Sequence, residues 1–301
     1  MHIDLYIVLG SVIVGLLVGM TGAGGGALMT PMLILLFGVA PGAAISSDLV
    51  ASVVMRPIGA GVHLRAGTVH RRLVLLMTAG SVPAAILGCY LLSLMGRSAS
   101  GVRTVELTLG CALLLGAAAM ALRYALDRRS GAEREQRIHQ ITPRPVLTVL
   151  IGAVGGVIVG MTSVGAGSLM IVLLLFVYPS ISARTLVGTD LTQAVPLTLA
   201  AAIGSLLFGR VEFGLTVSLI IGSVPAVLIG SLLSSRVPDR YTRPVIAFVI
   251  LASGLKYVGL DTTTLGWSLA AVLLAGLTVA AHGLRGGGRS VSVGSSSSVL
   301  E

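Results

Sequence analysis

The 301 residues would suffice for two soluble domains, but 55% are hydrophobic, only 10% are charged and the mean hydropathy is +1.00. A soluble domain carries about 25% charged residues, so a cytosolic enzyme and a disordered chain are both excluded. The net charge of +9 is no nucleic-acid signature, because aromatics make up 4% of the chain and the basic residues sit mostly between apolar segments rather than along a stripe.

In chain order, apolar segments run over residues 5–20, 27–38, 44–66, 70–95 and 103–126, then 146–162, 168–178, 183–208, 213–235, 241–259 and 265–284. These lengths predict an all-α integral membrane protein, since a membrane barrel would show alternating strands of about ten residues. Met1 to Tyr6 carries Asp4 and no basic stretch, so the first segment is expected to be retained. Residues 127–145 are rich in both charge signs and are expected to be a cytoplasmic linker. It would join a first transmembrane repeat, residues 1–126, to a second repeat with a final helix, residues 146–285. The Gly/Ser stretch 286–301 is expected to be a flexible tail. Cys89 and Cys111 lie inside apolar stretches and suggest neither a disulfide nor a metal site, and no cofactor is expected.

The two halves resemble each other. Gly19-Met20-Thr21 returns as Gly160-Met161-Thr162, Gly24 and Gly26 return as Gly165 and Gly167, Asp48-Leu49 as Asp190-Leu191, and Gly80-Ser81-Val82-Pro83-Ala84 as Gly222-Ser223-Val224-Pro225-Ala226. The offset is 141 residues at first and 142 later, a duplication with a single insertion. Internal repeats of this kind mark transporters. If every segment reverses direction and the linker is cytoplasmic, Lys and Arg divide 15 inside to 4 outside, with Arg56 left within a segment. That bias predicts inverted repeats with the N-terminus outside and the C-terminus in the cytoplasm of a bacterial inner membrane.

Segments 27–38 and 168–178 are too short, at ~1.5 Å per residue, to cross a core about 30 Å thick. Each is expected to be half of a re-entrant hairpin broken by glycine, with about seven other helices spanning fully. The links Thr21-Gly22-Ala23-Gly24-Gly25-Gly26 and Thr162-Ser163-Val164-Gly165-Ala166-Gly167-Ser168 would then be hairpin tips at membrane depth, tolerated only around a polar cavity. Their free backbone N–H groups at helix starts suit a small anion. The candidate anion-binding residues are accordingly Thr21, Gly22, Gly24, Gly25, Gly26, Thr162, Ser163, Gly165 and Gly167. The competing reading is that these glycines serve only close helix packing.

Arg56 lies twelve residues into segment 44–66, where a charge costs at least about 2.5–3.5 kcal/mol. It is expected to be the cationic anchor of the substrate. Direct pairing with Asp48 is disfavoured because eight helical residues, about 12 Å, separate them. Asp48 and Asp190 stand at equivalent helix starts, and two readings fit them equally: stabilisation by the helix dipole, or coupling to a proton or cation. Gln193 and His63 share these segments and complete the coupling candidates. Enzyme constellations such as His-Glu-x-x-His or Gly-x-Ser-x-Gly are absent.

With the two glycine-rich breaks, the polar helix starts and the repeated Gly-x-x-Pro-Ala stretches from Gly80 to Gly88 and Gly222 to Gly230, the chain resembles the sulfite exporter TauE/SafE family of membrane permeases over nearly all of residues 5–260. The resemblance implies bacterial inner-membrane transport of a small sulfur-containing anion such as sulfite, sulfoacetate or another organosulfonate, outward and driven by an ion gradient. Ser163-Val164 replaces Gly22-Ala23 and Thr189 replaces Ser47, so the two tips need not contribute equally. A passive anion channel shares the same features, and a membrane scaffold or assembly protein is the alternative from another class.

Overall fold

The computed structural model describes residues 4–21, 25–96, 99–129, 143–164, 168–178, 181, 183–233 and 239–260. They form α1 (Leu5–Thr21), α2 (Gly26–Leu35), α3 (Pro41–Arg65), α4 (Arg71–Met95), α5 (Ala99–Arg129), α6 (Pro145–Thr162), α7 (Ser168–Val177), α8 (Ala183–Phe208), α9 (Phe213–Leu233) and α10 (Asp239–Val258). No β-strand occurs among the described residues. Every boundary falls within a few residues of the apolar segments, because each segment ends where Gly, Pro or a charge removes either apolar surface or a backbone donor. Pro41 and Pro145 open α3 and α6, where a missing N–H costs nothing. His70 caps α4: its Nδ1 accepts the Leu73 N–H at 3.3 Å.

Six helices, α3, α4, α5, α6, α8 and α9, contain stretches long and apolar enough to cross a bilayer. Five of them are among the seven spans the sequence predicts outside the hairpins. α6, expected as one arm of a hairpin, is itself 18 residues long. α10 contributes a shorter apolar stretch, Ile246–Val258, among the described residues. The expected segment 265–284, most of the linker 127–145 and the tail lie outside the described residues. α2 and α7 are 10 residues each, about 15 Å, half the thickness of a hydrocarbon core.

Large apolar side chains such as Tyr6, Leu36, Leu75, Phe176, Leu207 and Leu232 are exposed around the outside, as a lipid-facing belt requires. α3 is the inner helix: 67% of its span is buried, against 39–50% for the other five. Met1–Gly259 is one compact unit and Leu260–Glu301 a second. Within the first unit α1 packs along α9, α6 along α4, α3 against α8 and α5 against α10. The hydrophobic core has two centres: one gathers α1, α2, α9 and α10 with Met29 and Leu33 fully buried, the other gathers α4, α6, α7 and α8 around Met77, Met170 and Leu174.

The repeated Gly-Ser-Val-Pro-Ala sequence acts at these helix seams. A Cβ added to Gly80 would strike the Val149 carbonyl of α6, and one added to Gly160 would strike the Ala85 carbonyl of α4. Correspondingly, Gly222 of α9 rides on the Val8 carbonyl of α1, and Gly19 of α1 on the Val227 carbonyl of α9. Small residues let backbones approach where lipid supplies no hydrophobic drive for association. Gly160→Leu is therefore expected to destabilise the protein by about 1–3 kcal/mol through overpacking against backbone that cannot yield. Thermal loss of ellipticity at 222 nm in detergent would show a lowered midpoint, and an unchanged one would mean that α4 and α6 separate easily.

Candidate functional site

The polar residues of the inner helix form a column. Asp48, Ser52 and Arg56 recur at every fourth residue of α3, which places them on one face. All three are buried, at 0%, 1% and 7% exposure. Asp48 Oδ2 accepts hydrogen bonds from Thr30 Oγ1 of α2 at 3.0 Å and from Ser163 Oγ at 2.7 Å. Asp48 Oδ1, Ser52 Oγ and Arg56 Nε have no hydrogen-bond partner among the described residues. Buried polar atoms are nearly always paired, so three unspent ones along one helix face mark a place built for something other than packing.

Ser163 joins the halves. It caps the C-terminus of α6 with φ 57° and ψ −3°, and it is the non-glycine residue with positive φ among those described. Its N–H donates to Val159 O at 2.7 Å, which satisfies one of the last carbonyls of α6. Its backbone rests directly on Gly26, the first residue of α2, where any Cβ would collide with the Ser163 carbonyl. The start of α2 and the end of α6 therefore meet. Gly25, just before α2, is buried, and its carbonyl accepts the N–H groups of Leu28 and Met29. A Cβ there would reach Met55, the neighbour of Arg56, at 3.4 Å.

On α8, Asp190 is 1% exposed, and it and Asp48 both interact electrostatically with Arg56. One guanidinium thus answers to two buried carboxylates. Gln193, 0% exposed, donates from Nε2 to Ser81 Oγ on α4 at 2.6 Å, while its Oε1 has no hydrogen-bond partner among the described residues. Thr189 Oγ1 accepts the His70 N–H at 3.1 Å and Thr198 Oγ1 donates to Ala194 O at 2.7 Å, so these hydroxyls serve the helices. Thr162 is spent likewise: its Oγ1 donates to Ile158 O at 2.6 Å and accepts from Val164 N at 3.2 Å.

Of the residues singled out by sequence, Asp48, Arg56, Asp190, Gly25, Gly26 and Ser163 are brought into one neighbourhood, and Gln193 faces α4. Gly22, Gly24, Gly165 and Gly167 lie outside the described residues, as do the side chains of Thr21 and His63. Sequence reasoning missed Ser52 and Thr30. The spacing of Ser52 between Asp48 and Arg56 is a visible signal, whereas nothing local marks Thr30. A separate pocket of 390 Å³ between α3, α4 and α8, lined by residues including Pro57, Leu64, Val74, Thr78 and Pro196, is nearly all apolar and offers an anion nothing.

The site carries one fixed cation, two carboxylates and hydroxyls from three helices or helix ends. Its donor set is suited to holding ions at depth and contains no group of three or more metal-ligating His, Cys, Asp or Glu among the described residues.

A probable membrane transporter protein, YjnA of Bacillus subtilis, is 39% identical over 253 residues, covering 84% of this chain and 98% of that protein. YdhB, another probable membrane transporter protein of the same organism, is 22% identical over 249 residues, covering 83% and 98%. No solved structure gives a significant match. The family model for the sulfite exporter TauE/SafE matches residues 7–257, and with that match spanning all ten helices this chain, a multi-pass membrane protein, belongs to the sulfite exporter TauE/SafE family of membrane transporters.

Proposed function

We propose that this protein is a secondary carrier that exports a small sulfur-containing anion, sulfite, sulfoacetate or a similar organosulfonate, across the bacterial inner membrane. Arg56 holds the anion, and the tip glycines Gly22, Gly24, Gly25, Gly26, Gly165 and Gly167 complete its cradle with backbone N–H groups. The observation that carries the reading is Arg56 itself: a guanidinium 7% exposed in the most buried span, with Nε–H unspent, is a donor awaiting an anionic partner.

Transport proceeds by alternating access of two inverted repeats, with the N-terminus outside and the C-terminus in the cytoplasm. The repeat reading is supported by matched helix orders, in which α1 and α6 have 17 and 18 residues, α2 and α7 have 10 each, and α3 and α8 have 25 and 26. It is supported also by reciprocal packing, α1 on α9 and α6 on α4. Such a pair exchanges under a two-fold axis in the membrane plane, with the site where the halves touch.

The test is sulfite flux in proteoliposomes, with sulfate, thiosulfate and sulfoacetate as competitors and an imposed ion gradient switched on or off. The carrier reading expects saturable flux that accumulates sulfite against its gradient when the ion gradient is present. Flux that only equilibrates sulfite makes the protein a channel, and no sulfite dependence removes the sulfur-anion assignment.

A further inference from the structure

The oxygen atoms around Asp48 are arranged for a positive ion rather than for the anion. Asp48 Oδ2 lies 2.7 Å from Ser163 Oγ and 3.0 Å from Thr30 Oγ1, so three oxygens from α3, α2 and the end of α6 are already clustered. Ser52, one turn along α3 on the same face, is 1% exposed, and its Oγ has no hydrogen-bond partner among the described residues; Asp48 Oδ1 is in the same condition. A hydroxyl has two lone pairs besides its proton, so Thr30 and Ser163 can turn from donors to Asp48 into ligands without moving their oxygens. The C-terminal end of α6, the negative end of its dipole, is at Ser163 beside this cluster.

The charges ask for the same ion. Asp48 and Asp190 both interact electrostatically with Arg56, and a substrate anion there would add more negative charge. A single carboxylate with neutral hydroxyls matches a monovalent ion, whereas calcium sites gather several carboxylate oxygens and magnesium keeps its waters.

We propose that Asp48, Ser52, Thr30 and Ser163 form a site for a small monovalent cation, with Na⁺ as its probe, its carboxylate two helical turns along α3 from the anion-binding Arg56. Since Thr30 and Asp48 belong to the first half and Ser163 to the second, the ion ties the halves together in the arrangement seen here, and its release frees them to move. The inference rests on the carrier reading for its role in coupling, but not for the binding itself.

The experiment uses the full chain in detergent without any sulfur anion. Its thermal midpoint is followed while NaCl replaces KCl or choline chloride at constant ionic strength and fixed pH, which cancels general salt effects. The site predicts a saturable rise specific to Na⁺. Ser52→Ala, a mild change, is expected to raise the half-saturating Na⁺ concentration three- to tenfold, and Asp48→Asn to abolish the rise. Equal midpoints in Na⁺, K⁺ and choline overturn the proposal, including the case where the midpoint responds to pH alone, which makes Asp48 a proton carrier. So does a Na⁺ response that Ser52→Ala and Asp48→Asn leave intact. Sulfite flux is read separately. Flux without Na⁺ specificity in a protein whose midpoint also shows none sinks the cation site alone, whereas a Na⁺-specific midpoint in a protein that moves no sulfite keeps the site and sinks the anion reading.

Discussion

Arg56→Gln is expected to lower sulfite affinity about ten- to a hundredfold, the equivalent of losing charge-assisted hydrogen bonds worth about 1.5–3 kcal/mol. Glutamine keeps a polar, hydrogen-bonding side chain, two bonds shorter, but removes the positive charge. The substitution also leaves Asp190 and Asp48, both interacting electrostatically with Arg56, without their buried counter-charge. Breaking a buried charge set by removing one partner costs about 3–5 kcal/mol, so the single variant is expected to be less stable as well. A second variant separates the two effects. Arg56→Gln combined with Asp190→Asn removes one charge of each sign and is expected to recover much of the thermal midpoint while leaving sulfite affinity low. Recovery of affinity together with stability in the double variant would show that Arg56 balances charge inside the protein and does not touch substrate.

Gly26→Leu has the second largest expected effect. The first residue of α2 sits so close to the Ser163 backbone that even a Cβ cannot be accommodated. Backbone cannot rotate aside as a flexible side chain does, so the substitution must push α2 away from the end of α6. The cost is expected near the upper part of the 1–3 kcal/mol range typical of overpacking, about 2–3 kcal/mol. That displacement would also pull Thr30, four residues on in the same short helix, and Ser163 out of reach of Asp48. Sulfite flux is expected to fall at least tenfold, because a shift of about 1 Å in a positioning element costs roughly a hundredfold in comparable sites. Gly42→Leu is the control, since nothing lies within 4 Å of a Cβ built there. Equal flux and midpoints in the two variants would show that the meeting of α2 with Ser163 is incidental.

The seam glycines and the site glycine illustrate why the sequence supports two readings of its small residues. Gly80, Gly160, Gly222 and Gly19 all lie on neighbouring carbonyls, the packing role that competes with an anion cradle. Gly26 packs too, and what it packs against is the residue that bonds Asp48.

The sequence by itself determined what local chemistry controls. Apolar run length, interrupted by Gly, Pro and charge, set the ten described helices and the two undersized ones, α2 and α7, because helix formation and membrane burial depend on neighbours along the chain. The cost of a charge at depth singled out Arg56, and repeat spacing paired Asp48 with Asp190. Only the tertiary structure decided which of these residues meet. Ser163 reaches Asp48 across 115 residues of chain and Gln193 reaches Ser81 across 112, contacts set by how the end of α6 meets α2 and α3 and how α8 docks on α4. Thr30 and Ser52 became part of the site for the same reason: a threonine or serine in a helix can bond its own backbone or pack unmarked, and it becomes a ligand only when another helix brings a carboxylate to its hydroxyl or leaves it buried with none.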